Sequence, residues 1–362
     1  MSTASKTFKT KASIIAAGML YVPESNFQAP SPKFQVVVQT SHFPIVSVHF
    51  WKAFWLTMRP YLIFVSGAAG LVGLAFIEST NPARTLLAFF PLFISYGLGQ
   101  ALTDCFQTDT DAISSPYRPL VQGIISKRQV LGVSLSGLLL GILILAYLNP
   151  FIPILGIVAV LGLLGYTFFK KRWWAGPFWN SWIVALLPII GLMTGREDGL
   201  VLISSTASYP SSAFIFAVAA ILFAYGNFVV MGYLKDVTAD KRTAYRTFPV
   251  VFGWKATTIY SDILALAAAV FTGSALWKAN ANILGVAIFF AALTVNAFAQ
   301  IKIHRTHDES RAHGPIANVV RAFILYALAV VVSLKPDWLG FLAGFYLVFE
   351  AALKYRPEKT QV

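Results

Sequence analysis

Cysteine and charge are what this chain of 362 residues has least of. Its one cysteine, Cys105, excludes an intramolecular disulfide and a zinc site built on cysteines, so no redox compartment can be read from it. Charged residues make up 12% of the chain, about half the share of a soluble domain. Apolar residues reach 57%, and the mean hydropathy is +0.68. Together these exclude a disordered chain, a collagen-like chain and a large soluble domain. A membrane span takes about 20 residues, so ten spans would use about 200, close to the whole apolar inventory. The first fifty residues lack the long apolar core of a signal peptide. Lys6, Lys9, Lys11 and Lys33 face a lone Glu24 there. Residues 1–50 therefore read as a poorly ordered cytoplasmic tail, with a Ser/Thr-rich transit peptide as the other reading.

What the chain does have is apolar runs punctuated by charge, Pro and Gly. They predict spans near 54–77, 85–103, 129–148, 151–169, 178–195, 212–234, 257–277, 281–301, 316–333 and 338–353. With the N-terminus on the cytoplasmic side, only Arg84, Arg196, Lys278 and Lys335 of the 28 Lys and Arg fall on the far face. Such asymmetry is the positive-inside rule, and it accounts for the net charge of +13 without a nucleic-acid partner. An even number of spans returns the chain to the cytoplasm, in agreement with the basic tail of Lys354, Arg356 and Lys359. The sequence thus predicts an all-α, polytopic bundle of nine or ten transmembrane helices over residues 51–355, with 356–362 as a C-terminal tail. The host membrane is a cell (inner) membrane or that of an organelle. Small residues from Gly132 to Gly141 serve internal packing as readily as dimerisation, so the oligomeric state is unknown.

Aspartate is scarce as well: the chain has nine. Five occupy two short windows on the basic face, Asp104, Asp109 and Asp111 after the second span and Asp236 and Asp240 after the sixth. On a helix Asp236 and Asp240 share a side, as do Asp104, Gln107 and Asp111, and like charges stacked this way need a cation. One or two carboxylates per ion, completed by water and substrate phosphates, suit Mg²⁺. Loop carboxylates that merely pair with nearby Lys and Arg are the bland alternative, and it weakens when two such windows occur. Four spans separate the windows, so the segments carrying them run parallel and can meet across a bundle. Each is followed by bases and a proline: Pro116, Tyr117, Arg118, Pro119 and Leu120 after the first, and Lys241, Arg242, Arg246, Thr247, Phe248 and Pro249 after the second. Acids for a metal beside bases for phosphates point to a diphosphate site.

The segments "SSPYRPLVQG" and "YLKDVTADKRTAYRTFPVVFG", with Thr103, Asp104, Gln107 and Asp111 ahead of the first, resemble the two motifs of the UbiA superfamily of intramembrane prenyltransferases. The likeness covers roughly residues 50–355 in span order. Thr103 stands where that family usually has Asn, and Gln107 where it usually has Asp. Both keep an oxygen ligand and lose donor or charge, which shifts weight to Asp104, Asp111 and the neighbouring Asp109. The resemblance implies a UbiA-like bundle whose central cavity opens toward the cytoplasmic loops. It also implies Mg²⁺-dependent transfer of a polyprenyl group from a polyprenyl diphosphate to a small aromatic or lipophilic acceptor, within the lipid bilayer. Asp104, Asp111, Asp236 and Asp240 would be catalytic and, with Gln107, would hold the metal. Arg118, Lys235, Arg242 and Arg246 would bind the diphosphate. Thr103, Tyr96, Asn227 and Tyr233 are candidates for the pocket, Asn227 equally a hydrogen-bonding link between helices.

A departing diphosphate needs its charge neutralised, and the allylic cation left behind must be kept from water. Thirty Phe, fourteen Tyr and nine Trp offer walls for such a cavity. Phe also faces lipid, and Trp173, Trp174, Trp179 and Trp182 beside Lys170–Arg172 read as an interfacial belt. Arg59 with Pro60 in the first span and Asn180 opening the fifth are polar groups that face a cavity or another helix. Arg321 and Glu350 pair or snorkel, and His304 and His307 read as a solvated face. Two further readings stand beside the transferase: a UbiA-type terpene cyclase without an acceptor, and a transporter whose acidic loops bind a coupling cation.

Overall fold

The computed structural model describes residues 22–23, 34–35, 42–78, 81–195 and 211–356. The lysines expected to mark the cytoplasmic N-terminal tail, Arg196 on the far face and Lys359 at the C-terminus lie outside these residues. The fold is helical as expected, apart from a two-residue antiparallel pairing of Val22–Pro23 with Phe34–Gln35. In chain order the helices are α1 (Val48–Met58), α2 (Ile63–Ala75), α3 (Pro82–Asp104), α4 (Thr108–Ser114), α5 (Lys127–Leu148), α6 (Ile152–Arg172) and α7 (Gly176–Met193). They continue with α8 (Ser211–Tyr233), α9 (Val237–Arg242), α10 (Phe248–Lys278), α11 (Ile283–His304), α12 (His313–Leu334) and α13 (Leu339–Lys354). Among the described residues nine helices are long and apolar enough to cross a membrane, ten if the bent pair formed by α1 and α2 is one span. The chain is a multi-pass integral membrane protein.

The expected first span, 54–77, is where the structure departs most from the apolar pattern. Pro60 bars Arg59 from right-handed helical geometry. Arg59 takes φ 53, α1 stops at Met58, and the chain turns by 51° into a short 3-10 turn and α2. Residues 42–47, expected in the tail, are docked: Phe43 donates its N–H to the Ile124 carbonyl (3.2 Å), and Gln129 Nε2 donates to the Phe43 carbonyl (2.8 Å). The seventh span begins early, at Phe248, and breaks at Gly253, whose φ of 78 only glycine adopts without strain.

Helix α2 is buried along its whole length, and α12, α8 and α7 are the most enclosed of the long helices, while α5, α6, α11 and α13 turn most of their surface outward. Aliphatic side chains of α2, α8 and α12 build the centre of the core. Helices α2 and α7 approach backbone to backbone, since a Cβ on Gly73 would fall 2.0 Å from the Pro188 carbonyl oxygen. Without a hydrophobic drive between helices in lipid, such close approach and interhelical hydrogen bonds hold a bundle together. The latter are supplied by a buried network in which Ser261 donates to Asn227 Oδ1 (2.5 Å), Asn227 to Asn296 (3.3 Å) and Asn296 to Tyr326 (3.3 Å).

Candidate active site

Two copies of one local design make the site. A long apolar helix ends, the chain turns tightly, and a short helix carries acids in its first turn, where the helix dipole favours them. In the first copy α3 ends at Asp104, the Gln107 N–H caps the Asp104 carbonyl (3.2 Å), and α4 presents Asp109 and Asp111. In the second α8 ends at Tyr233, the Asp236 N–H returns to the Tyr233 carbonyl (3.2 Å), and α9 presents Asp240. The copies meet. Thr110 and Thr243 share a hydrogen bond between hydroxyls (2.9 Å), and the Tyr245 hydroxyl donates to Asp109 (3.0 Å).

Beneath this junction α3, α5, α6, α7 and α8 line a cavity with about 1500 Å³ of empty space, the open solvent at its mouth included. At its polar end stand Asp104, Gln107, Asp111, Arg118, Lys235 and Asp236, all anticipated, with Thr103, Tyr96 and Tyr233 also in the wall. Arg59, Lys170, Tyr166, Asn180 and Tyr225 join them. Pro60 betrays Arg59: the break it forces brings the guanidinium to both oxygens of Asp104 (2.9 and 3.1 Å). Lys170 is hidden by its neighbours, because Lys171, Arg172 and the tryptophans that follow mask it as part of an interfacial belt. It is instead buried, donates to Gln107 Oε1 (2.9 Å) and stands 3.8 Å from Asp240.

Other anticipated residues are not in the cavity wall. Asp240 lies behind it, fully buried, and accepts a hydrogen bond from the Thr247 hydroxyl (3.0 Å). Asp109 turns to the surface, where it latches Lys171 (3.1 Å) and Tyr245 rather than supporting Asp104. Arg242 and Arg246 are exposed and outside the wall, since α9 turns its Asp240 side inward. Asn227 belongs to the interhelical network described above. Away from the cavity, Arg321 pairs bidentately with Glu350 (2.7 and 2.9 Å), and His304 pairs with Asp262 (2.7 Å) at the surface.

Acids and bases alternate at the polar end. Arg118 pairs with Asp111 and lies 3.6 Å from Asp104, while Lys235 pairs with Asp236 (3.0 Å). Burial pushes Asp240 up to about 6 against the pull of Lys170. Burial also raises Asp111, and there it outweighs Arg118. At Asp236 burial again acts upward, but Lys235 and Lys170 together overcome it and hold the carboxyl below its ordinary range. Below the acids the phenols pair: Tyr166 with Tyr233 (2.9 Å), and Tyr225 donating to Tyr96 (3.2 Å) while accepting from Asn180 (3.2 Å).

Among the described residues no three His, Cys, Asp or Glu side chains gather into a ready metal cluster. Mg²⁺ does not require one, because it takes one or two carboxylates and completes its shell with waters and phosphates. Asp240 Oδ1 and Arg118 Nε are buried without hydrogen-bond partners, so polar capacity is left over at this level. The donor set fits a divalent cation shared with a bound polyphosphate rather than an all-protein cage.

The sequence profile of the UbiA prenyltransferase family matches residues 61–324 of this chain. A digeranylgeranylglyceryl phosphate synthase of Thermococcus kodakarensis is 25% identical over 292 residues, which cover 78% of this chain and 99% of that protein. Another protein of that name, from Thermococcus sibiricus, is 29% identical over 60% of this chain and 74% of its own length. Among solved structures, an apo UbiA homolog from Aeropyrum pernix K1 superposes with a TM-score of 0.64 at 16% identity, covering 75% of this chain and 96% of its own. A UbiA homolog from Archaeoglobus fulgidus bound to DMAPP and Mg²⁺ gives a TM-score of 0.57 at 17% identity, over 77% of this chain and 98% of its own.

Proposed function

The chain belongs to the UbiA prenyltransferase family, and we propose that it transfers a polyprenyl group from a polyprenyl diphosphate to a small lipophilic acceptor with the help of Mg²⁺. The observation that carries this reading is the convergence of two acidic loops, with four bases at the same level, on the end of one largely apolar cavity. The name shared by the curated relatives favours an acceptor hydroxyl on a glyceryl phosphate lipid over the aromatic acceptor expected from the sequence. Residues 51–355 are the catalytic domain. The cavity mouth, both acidic motifs and both termini face the cytoplasm, a placement supported by the bias of Lys and Arg.

Arg59, Arg118, Lys170 and Lys235 bind the phosphate oxygens, the arginines bidentately and the lysines as point charges. Asp104, Asp111 and Asp236 would hold the metal, with Gln107 adding a neutral oxygen, and Asp240 acts from behind by fixing Lys170. Bound Mg²⁺ would supply the Lewis acidity that neutralises the departing diphosphate. The phenol rings of Tyr166, Tyr233, Tyr96 and Tyr225 flank the allylic carbon, where each face stabilises positive charge by ~0.5 to 2 kcal/mol. The apolar wall keeps water from that carbon until the acceptor hydroxyl oxygen attacks it, forming the C–O bond and giving up its proton to the departed diphosphate.

The test is diphosphate release by purified protein with Mg²⁺ and geranyl, farnesyl or geranylgeranyl diphosphate, offered a prenylated glyceryl phosphate, an aromatic acceptor or neither, with products identified by mass spectrometry. An ether adduct formed only with the glyceryl phosphate is the expected result. Acceptor-independent release of a cyclised hydrocarbon would replace this reading with the cyclase.

A further inference from the structure

Below the acids the cavity wall carries one short chain of hydrogen bonds. Asn180 of α7 donates to the Tyr225 hydroxyl of α8 (3.2 Å), which donates in turn to the Tyr96 hydroxyl of α3 (3.2 Å). All three residues line the cavity. Tyr96 stands eight residues before Asp104 on α3, which at 1.5 Å per helical residue places it about 12 Å deeper. A phenol has one proton and an amide one carbonyl oxygen. Because Tyr225 gives its proton to Tyr96, the Tyr96 proton has no acceptor among the described residues, and Asn180 Oδ1 has no donor. The buried network around Asn227 differs, since there both the carbonyl and the amino group of the amide are bonded. The pair of Tyr166 and Tyr233 leaves over only a proton, beside Lys170, where phosphate oxygens would accept it.

We infer that Tyr96 and Asn180 bracket the reacting hydroxyl of the acceptor, Tyr96 donating to its oxygen and Asn180 Oδ1 accepting from its O–H; the inference rests on the transferase reading above. The chain of bonds is open at a donor and at an acceptor, and an alcohol is both at once. An ionised phosphate only accepts and a prenyl chain does neither, so no part of the donor substrate completes it. Tyr96 and Asn180 both bond the same Tyr225 oxygen, so one small polar group can reach both. A diphosphate held by the acids and bases above leaves the allylic carbon at this level, facing the bracketed oxygen. In the step itself the allylic C–O bond breaks and its electron pair leaves on the diphosphate. The held oxygen forms the new C–O bond through its remaining lone pair, and its proton passes to the diphosphate. The Asn180 amide takes no proton and only fixes where the oxygen stands.

The experiment gives the full-length protein a prenylated glyceryl phosphate with one free hydroxyl, and the deoxy analogue in which hydrogen replaces that hydroxyl. The same measurements are made on Tyr96→Phe and Asn180→Leu, with folding checked by thermal melting in detergent. Tyr96→Phe keeps the ring face toward the cation and loses only the O–H. In the unaltered protein the analogue should inhibit with a Ki at least thirtyfold above the acceptor KM, because a site built to bond a hydroxyl rejects the compound lacking it. Each variant should raise acceptor KM tenfold or more, move donor KM less than threefold, and bring the analogue's Ki within threefold of the acceptor KM. Should a variant fail to fold, the analogue's Ki in the unaltered protein decides. An analogue that binds as well as the acceptor, or donor and acceptor KM rising together, would overturn the bracket and leave the transferase standing. No diphosphate release from any donor would overturn the transferase, and this inference with it.

Discussion

The Lys170 ammonium donates to Gln107 Oε1 over 2.9 Å, although the two are 63 residues apart, Lys170 on α6 and Gln107 in the turn between α3 and α4. The same ammonium is the cation nearest to buried Asp240, so one side chain joins both acidic motifs. Lys170→Met would leave Asp240 buried with no cation within 4 Å among the described residues. Breaking such a pair from one side costs about 3 to 5 kcal/mol. The expected outcome is a clear fall in melting temperature and a loss of at least 100-fold in diphosphate release. An unchanged melting curve would mean that Asp240 draws its compensation from elsewhere.

Gln107→Asp places a second charge between Lys170 and the metal-holding acids. The carboxylate keeps the Lys170 contact and adds charge toward Mg²⁺, so half-saturation in a Mg²⁺ titration should move about tenfold lower, the equivalent of ~1.4 kcal/mol. No shift, or weaker Mg²⁺ dependence, would show that the 107 side chain serves Lys170 alone.

Asp104→Asn and Asp236→Asn keep size while removing the charge and one of the two acceptor oxygens that take hydrogen bonds from Arg59 and Lys235. Each should lower kcat by at least ~100-fold, on the scale of losing one preorganised electrostatic contact. Both variants should remain folded by size-exclusion chromatography. Turnover within tenfold of the unaltered protein in either would remove that residue from the metal site.

The spans and the two acidic loops were legible because their signals are local. Apolar runs mark the helices; Asp104, Gln107 and Asp111 at i, i+3 and i+7 mark the first loop and Asp236 and Asp240 at i and i+4 the second, each followed by Arg and Pro. What the pattern does not carry is rotation and long-range closure. Nothing in Asp236 to Arg246 says that α9 turns Asp240 inward and Arg242 and Arg246 outward, because that choice is made where α9 packs on α4 through Thr110 and Thr243. Lys170 is invisible for a similar reason: its partners come from α3–α4 and α8–α9, and its neighbours in sequence face the interface. Arg59 lay between these cases, since Pro60 announces a break and only the fold reveals that the break delivers a guanidinium to Asp104.

Arg242→Gln and Arg246→Gln test that rotation directly. Both side chains are exposed and neither pairs with a carboxylate among the described residues. Charges so placed are worth little, so kcat/KM should change by about threefold or less in either variant. Arg118→Gln serves as the contrast, because its guanidinium is buried in the cavity wall against Asp104 and Asp111. A loss in Arg246→Gln equal to that in Arg118→Gln would mean that substrate draws α9 and the following loop into the site.

Asn227 separates packing from pocket. Its Oδ1 accepts from Ser261 (2.5 Å) and Gln300 (3.3 Å), and its Nδ2 donates to Asn296 (3.3 Å), so α8, α10 and α11 are joined through one buried side chain. Asn227→Leu would leave the Ser261 hydroxyl with Gln300 as its remaining partner and strip Asn296 of one donor. Hydrogen bonds between membrane helices average about 0.6 kcal/mol and reach ~1.7, and a stranded buried group adds desolvation, so a stability loss of roughly 1 to 2 kcal/mol is expected. Donor KM should stay unchanged, because Asn227 is absent from the cavity wall although Tyr225, two residues earlier on α8, is part of it. Thermal melting and donor titration on the same preparation separate the two roles. A raised KM with an unaltered melting temperature would return Asn227 to the pocket and require α8 to rotate when donor binds.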